Sequence, residues 1–418
     1  MKITRITTAV IEGNFDWTIV RIETNDDLQG FGECYFAPGL TTIVAELGRL
    51  LVGEDPRDVR RLFRKLQMAA SGAGSVAGIV YNAITGIETA LWDVSAKAVG
   101  VPLYQMLGGK FRSKIRIYAD CHAGESLESL DCLMRSRSAT WQPPAESHRP
   151  ANYFEEISDE ILFTPEMYRR RALQMRAAGF TALKFDIDVP NPYARDLYNR
   201  CLSSQEIDYM LSLIAGAREG AGPEVDLAID CHWRFTLKDA RILAKECETF
   251  RLMWLEDPLP PWAGSEFREL RLFSSTPIAT GENLYLFEGF RGLLEEQCLS
   301  VVSPDLQKVG GLNEARRIAE YADSFTIPVA PHNISSPIGT LAAVHFCASI
   351  PNFLALEFHA SEVPFWNDLV QGTPAPLIVD GHITVPEGPG LGVEFNHEAA
   401  RNYARTGEPF FAPAGARG

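Results

Sequence analysis

Six ionisable side chains carry the chemistry this sequence could perform. Asp230, Glu256, Glu282, Asp305, His332 and Glu357 are separated by 26, 26, 23, 27 and 25 residues, and each closes a short apolar run. The first three make an all-oxygen donor set, which suits magnesium, a hard cation that favours octahedral oxygen ligation. Three carboxylates converging without a cation would repel one another strongly. Asp305 and His332 stand at matching positions of consecutive units. A carboxylate bonded to one ring nitrogen of a histidine fixes its tautomer and raises the basicity of the other nitrogen. The stretch LAIDCHWRF adds a further group. Residues i and i+2 of a strand share a face, so His232 can sit beside a metal held by Asp230.

The elements that position these groups follow from the texture of the chain. Residues 2–12, 17–24 and 28–34 read as strands, and Asn25-Asp26-Asp27 makes the turn between the last two. Helical stretches follow, the longest near 79–99, where Ile84, Ile87, Leu91, Val94 and Ala98 form one apolar stripe before Gly100 and Pro102. Residues 1–113 are therefore expected to be an α+β module, strands followed by helices. From residue 114 short strands alternate with helices: 114–120, 181–187, 225–230, 250–257, 277–282, 298–305, 328–332 and 353–359. Such alternation means a parallel sheet, and eight units predict a closed α/β barrel over residues 114–370. The C-terminal strand ends of such a barrel gather at one mouth, where active sites lie. Residues 122–165 are a long polar connection leaving that mouth, either a lid or a floppy insertion. The segment 371–418 carries strand and turn signals and is expected to return to this first module.

Composition sets the outer bounds. The chain has 418 residues, 46% hydrophobic and 22% charged, the mix of a globular protein with ample core. A formal net charge of −15 argues against nucleic acid or an anionic membrane as partner. The eight cysteines are scattered without a C-x-x-C, which predicts reduced thiols and a cytoplasmic location. No run reaches the roughly 18–20 apolar residues of a membrane span. The N-terminus alternates like a strand and lacks the apolar core of a signal peptide.

These residues bring the chain to a known family. It resembles the enolase superfamily, in its mandelate racemase subgroup, over nearly the whole length. The matching features are Gly30-Phe31-Gly32-Glu33, the helix NAITGIETALWDVSAKAVGVPLYQMLGG, the acids within DCH, WLEDP and TGEN, then SPDLQKVGG, PHN and LEFH. The resemblance implies a (β/α)7β barrel of TIM type with an N-terminal α+β cap. It implies magnesium on Asp230, Glu256 and Glu282, and proton abstraction α to a carboxylate by His332 with Asp305. Glu357 would hydrogen-bond an oxygen of the enediolate in a protonated or proton-sharing form. Where the racemase pattern has Lys-x-Lys, this chain has Lys184-Phe185-Asp186, so Lys184 is left to balance the substrate carboxylate or to form a rim salt bridge.

The D-x-H at 230–232 and the pattern His232-x-Arg234-Phe235 resemble the sugar-acid dehydratases of the gluconate and galactonate type. In those enzymes the histidine protonates the departing 3-hydroxyl, and Arg234 would contact substrate. Trp366, His122 and the first-hairpin residues Phe15, Asp16 and Trp17 are placed to line the pocket. His345, His359, His382 and His397 are expected to be structural. The expected reaction is dehydration of an aldonic acid, a small-molecule carboxylate, to a 2-keto-3-deoxy acid, by a homo-oligomer as the family implies. A racemase, epimerase or cycloisomerase would use the same enediolate without the leaving-group step. A non-catalytic barrel would require loss of a ligand or of the dyad, and neither is lost.

Overall fold

The computed structural model describes residues 1–74, 76–121, 141, 163–194 and 201–412. His122 and almost all of the 122–165 connection lie outside these residues. Three antiparallel strands, β1 (Ile3–Glu12), β2 (Asp16–Thr24) and β3 (Gln29–Cys34), form the cap sheet in that order. The helix Ile79–Val99 lies directly on it. The glycines of Gly30-Phe31-Gly32 exist for this approach: a Cβ on Gly30 would stand 2.3 Å from the Ala90 carbonyl oxygen, and one on Gly32 2.2 Å from that of Gly86.

The barrel follows the expected alternation. Its strands are β4 (Lys114–Cys121), β5 (Ala182–Asp186), β6 (Asp226–Asp230), β7 (Trp254–Glu256), β8 (Ile278–Thr280), β9 (Val301–Val302) and β10 (Leu356–Phe358). These run parallel in the order β4 to β9, and β10 pairs with β4. The remaining stave, at 328–331, joins the ring through single parallel bridges from Val329 to Val302 and to Phe353. Among the described residues, seven helices lie in the crossovers: Pro165–Ala177, Ser204–Ala221, Leu237–Cys247, Gly264–Phe273, Leu286–Glu295, Leu312–Asp323 and Pro337–Ser349. This is the (β/α)7β barrel with an N-terminal cap.

Several staves are shorter than their apolar runs suggest. Residues 248–250 form a turn of 3-10 helix and Arg251 takes φ 51°, so the seventh strand of the chain begins only at Trp254. At the other end Glu282 and Asp305 lie beyond the last ladder residues, Thr280 and Val302. Leaving the ladder frees the chain to turn these acids into the mouth.

Buried carboxylates dock the cap on the barrel. Glu33 at the end of β3 accepts from the amides of Ser336 and Gly339, at 3.0 Å each, at the start of the helix Pro337–Ser349. Glu88 accepts from the amides of Leu312 and Asn313 at 3.0 and 3.2 Å, at the start of the helix Leu312–Asp323. Each cap acid thus satisfies the free N–H groups and positive dipole end of a barrel helix. Burial pushes both carboxyls up to about 7. The helix Pro337–Ser349 is buried along nearly its whole length, with both cap and barrel strands packed against it.

The C-terminal segment departs from the expectation in part. A hairpin, β12 (Ile378–Val379) and β13 (His382–Thr384), following the short β11 (Val370–Gln371), adds antiparallel to the start of β4. These residues extend the barrel sheet at its foot. After the hairpin the chain meets the cap, first where Gly390 bridges Pro102 and the Leu391 amide donates to Asp93, and again where Ala404 and Phe410 bridge to Ile11 and Ala9 of β1.

Candidate active site

Asp186, Asp230 and Glu256 are neighbours in register at the ends of β5, β6 and β7. Glu282 reaches the same level two residues past β8, through Gly281. That glycine has φ 150°, and a Cβ there would meet the Ser303 backbone at 2.8 Å. Asp230, Glu256 and Glu282 offer carboxylate oxygens that all lie within 4.8 Å of one another, and all three residues are buried. The burial of so much acid is partly offset by Lys184. Its Nζ stands 2.8 Å from Asp230 Oδ2, 2.7 Å from Glu357 Oε1 and 3.4 Å from Glu256 Oε2, with the side chain 3% exposed. Burial alone would lower the lysine's pKa, but the three acids hold it well above its ordinary value. Lys184 is therefore an interior counter-charge and not a rim salt bridge.

One ammonium does not neutralise this group. Glu256 is pushed well above the usual carboxylate range by burial, and then by Asp230, Glu357 and Glu282 around it. Trp254 Nε1 donates to its Oε2 at 2.8 Å, while its buried Oε1 has no hydrogen-bond partner among the described residues. An orphaned carboxylate oxygen facing two more carboxylates, with no thiol among them, fits a hard divalent cation.

His332 faces this triad. Its Nδ1 lies 2.6 Å from Asp305 Oδ2, and its Nε2 lies 3.3 Å from Glu282 Oε2 and 3.8 Å from Glu357 Oε2. Burial would lower its pKa, yet the charges of Glu282 and Glu357 and the bond to Asp305 raise it to about 10. A histidine so held keeps its proton; it can act as a base near neutrality only when the charge of the acids is compensated. Glu357 is engaged at both oxygens, by Lys184 at Oε1 and by the Asn333 amide at Oε2, 3.0 Å away.

His232 lies two residues past Asp230, at the end of β6, the first of the triad's strands. Its amide donates to Asp230 Oδ1 at 3.0 Å, and its ring Nδ1 stands 3.1 Å from Asp188 Oδ1. Its ring is 24% exposed, unlike those of the acids around it. Together with Asp186 and Asp230 it forms a second grouping of potential metal ligands. Arg234 sits half-buried on the turn that follows, where its amide donates to the Cys231 carbonyl.

The structure moves other expected pocket residues into the scaffold. The indole N–H of Trp17 donates to the Ile334 carbonyl at 3.0 Å and that of Trp366 to the Ser335 carbonyl at 3.1 Å, and both rings are buried. They brace the loop after His332, and their polar atoms are spent on backbone. Asp16 is tied to Arg405 at 2.6 Å. Phe15 packs edge-on to His359 at 5.4 Å. His359 itself pairs with Asp120 at 2.5 Å, and its carbonyl accepts from Asn14 of the first hairpin at 2.9 Å.

Several site residues escaped the sequence reading. Asn283 donates to Glu282 Oε1 at 2.8 Å and accepts from Lys308 at 3.1 Å, and the Lys308 ammonium rests over the Tyr35 ring at 3.9 Å. Asp188 was legible in principle, since Asp186-Ile187-Asp188 places two acids on one face of a strand end.

Comparison with known proteins decides the family. Residues 6–108 match the mandelate racemase / muconate lactonizing enzyme N-terminal domain, and residues 167–400 match the enolase C-terminal domain-like family. The chain belongs to the mandelate racemase / muconate lactonizing enzyme family. Within this family it is 39% identical to a D-xylonate dehydratase of Haloferax volcanii, over 98% of this chain and 90% of that protein. It is 28% identical to a D-galactonate dehydratase of Pectobacterium atrosepticum, over 95% and 93%. The structure is similar to that of a mandelate racemase/muconate lactonizing enzyme-like protein from Rubrobacter xylanophilus, with TM-score 0.87 and 42% identity over 98% and 99% of the two chains. No helix among the described residues is long and apolar enough to cross a membrane.

Proposed function

We propose that this protein is a magnesium-dependent dehydratase of an aldonic acid, converting a 2,3-dihydroxy acid into a 2-keto-3-deoxy acid. The observation that carries the reading is the pair of histidines beside one carboxylate triad, each bonded through Nδ1 to its own aspartate. Dehydration needs a base for the C2 proton and an acid for the 3-hydroxyl, and these are two such groups. The relatives named xylonate and galactonate dehydratase support the same substrate class.

In this reading Nε2 of His332 takes the C2 proton while Asp305 holds Nδ1 and stabilises the imidazolium. Asp230, Glu256 and Glu282 would hold the magnesium ion, which supplies positive charge for the substrate carboxylate as C2 becomes electron-rich. Lys184 adds fixed positive charge beside it, and Glu357 orders Lys184 and the loop after His332. His232 gives a proton to the departing 3-hydroxyl, which leaves as water. The enol left between C2 and C3 takes a proton from solvent at C3 and becomes the 2-keto acid. Positioned proton transfer contributes about 10²–10⁴-fold, so preorganised charge must supply much of the remainder.

Epimerisation would need a base on each face of C2, and the residue two places after Lys184 is Asp186 where a second lysine would stand. The test is a screen of five- and six-carbon aldonic acids with magnesium, following 2-keto-3-deoxy acids as semicarbazones. Product from at least one acid is expected, and none from an enzyme treated with chelator. Deuterium uptake at C2 by every acid with no keto product would replace this reading with epimerisation.

A further inference from the structure

We infer that Asp188 is a positioning residue for the leaving-group step, holding the His232 ring so that Nε2 is the nitrogen offered to substrate. This rests on the dehydratase reading above. Asp188 lies two residues past the end of β5, with its side chain 1% exposed. Its Oδ1 stands 3.1 Å from His232 Nδ1. A carboxylate at Nδ1 places a proton there and commits the other nitrogen to the outside. The main chain of His232 is held as firmly. Its amide donates to Asp230 Oδ1, and φ is 41° at His232 and 51° at Trp233. Such left-handed values are uncommon for bulky residues and persist only where the surroundings impose them. Backbone and ring are thus fixed from two sides, by a residue of β6 and by one beyond β5.

The arrangement repeats the one around His332. There Asp305, past β9, holds Nδ1 of a histidine on the next stave. Here Asp188, past β5, holds Nδ1 of a histidine just past the next strand. In strand order Asp188, past β5, precedes the triad, His232 follows Asp230 at the end of β6, and the His332 pair comes after Glu282, past β9 and on the stave beyond it. Elimination makes separate demands at C2 and at C3, and each pair answers one of them. Asp188 touches no reacting atom in this account and acts only through His232.

The test uses the full-length enzyme with magnesium and the aldonic acid it dehydrates, in D2O, with Asp188→Asn, Asp188→Glu and His232→Asn beside the wild type. Dehydration is followed by keto-acid formation, and C2 proton removal by deuterium in recovered substrate. Asp188→Asn is expected to lower kcat for dehydration about 10–100-fold with KM nearly unchanged. C2 exchange is expected to persist, so recovered substrate gains deuterium as elimination slows. Asp188→Glu, which keeps the carboxylate, should recover part of the rate. Wild-type dehydration in Asp188→Asn with a dead His232→Asn overturns the inference. So does an equal loss of exchange and dehydration in both Asp188 variants, which marks a general disruption of the site. Dehydration that survives in His232→Asn overturns instead the assignment of His232 as the acid.

Discussion

His332 stands between two acids with opposite tasks: its Nδ1 is 2.6 Å from Asp305 Oδ2, and its Nε2 is 3.3 Å from Glu282 Oε2. The first contact sets the tautomer and the second points the reactive nitrogen at the carboxylate triad. Asp305→Asn keeps the shape and reverses the hydrogen-bonding preference at Nδ1. It is expected to cut kcat by about 10²–10⁴-fold with the fold intact. C2 deuterium exchange should fall with dehydration, because both begin with this nitrogen. Exchange at the wild-type rate in that variant would detach Asp305 from proton abstraction.

Glu256 gives a prediction about metal that needs no turnover. Its Oε1 is buried without a donor among the described residues, and burial with three neighbouring acids pushes its pKa well up. A cation bound there relieves that cost. Magnesium at 100 times its dissociation constant should stabilise the wild type by about 2.7 kcal/mol, read as a rise in Tm. Glu256→Gln is expected to lose most of that rise, while its metal-free Tm stays at or above that of the metal-free wild type. A full magnesium response in Glu256→Gln would remove Glu256 from the metal site.

Trp366 and Trp17 separate packing from binding. Each donates its indole N–H to the loop that follows His332. Trp366→Phe keeps most of the ring and loses one buried hydrogen bond, so a cost of about 0.5–1.5 kcal/mol is expected in denaturant unfolding. KM should stay close to the wild-type value. A KM rise with unchanged stability would return Trp366 to the pocket wall.

The cap joint is sensitive to pH in a stated direction. Burial raises Glu33 to about 7 in the folded protein, above the ordinary value of 4.5. A raised folded pKa contributes stability that is complete below the unfolded pKa and is lost as pH rises through the folded one. The contribution of Glu33 should therefore decline between about pH 4.5 and 7, by on the order of 3 kcal/mol. Glu88 should act in the same direction. Glu33→Gln, compared with wild type across this window by denaturant unfolding, is expected to flatten that part of the profile. An unchanged slope would show that Glu33 is ionised throughout at no cost.

The spacing of Asp230, Glu256, Glu282, Asp305, His332 and Glu357 was enough to place six groups at one barrel mouth, because a βα unit has a nearly constant length. Spacing says nothing of where a side chain points. Lys184 could not be seen to lie among three acids, nor Trp17 and Trp366 to face backbone carbonyls, since both depend on contacts between distant segments. The weak staves at 301–302 and 328–331 read as longer strands because apolar runs report burial, while ladder length depends on the neighbours. The hairpin at 378–384 carried clear strand signals, but nothing local says which sheet edge such a hairpin will join. Asp188 was the one site residue within reach, through its same-face relation to Asp186.

The most direct test of the whole account follows a five-carbon aldonic acid by NMR in D2O with enzyme and magnesium. The choice of five carbons follows the similarity to the Haloferax xylonate dehydratase. The account predicts a 2-keto-3-deoxy acid carrying one solvent deuterium at C3, formed by the wild type and absent with chelator or with His332→Asn. Recovered acid with deuterium at C2 or inverted configuration there, and no keto acid from any chain length tried, would contradict it.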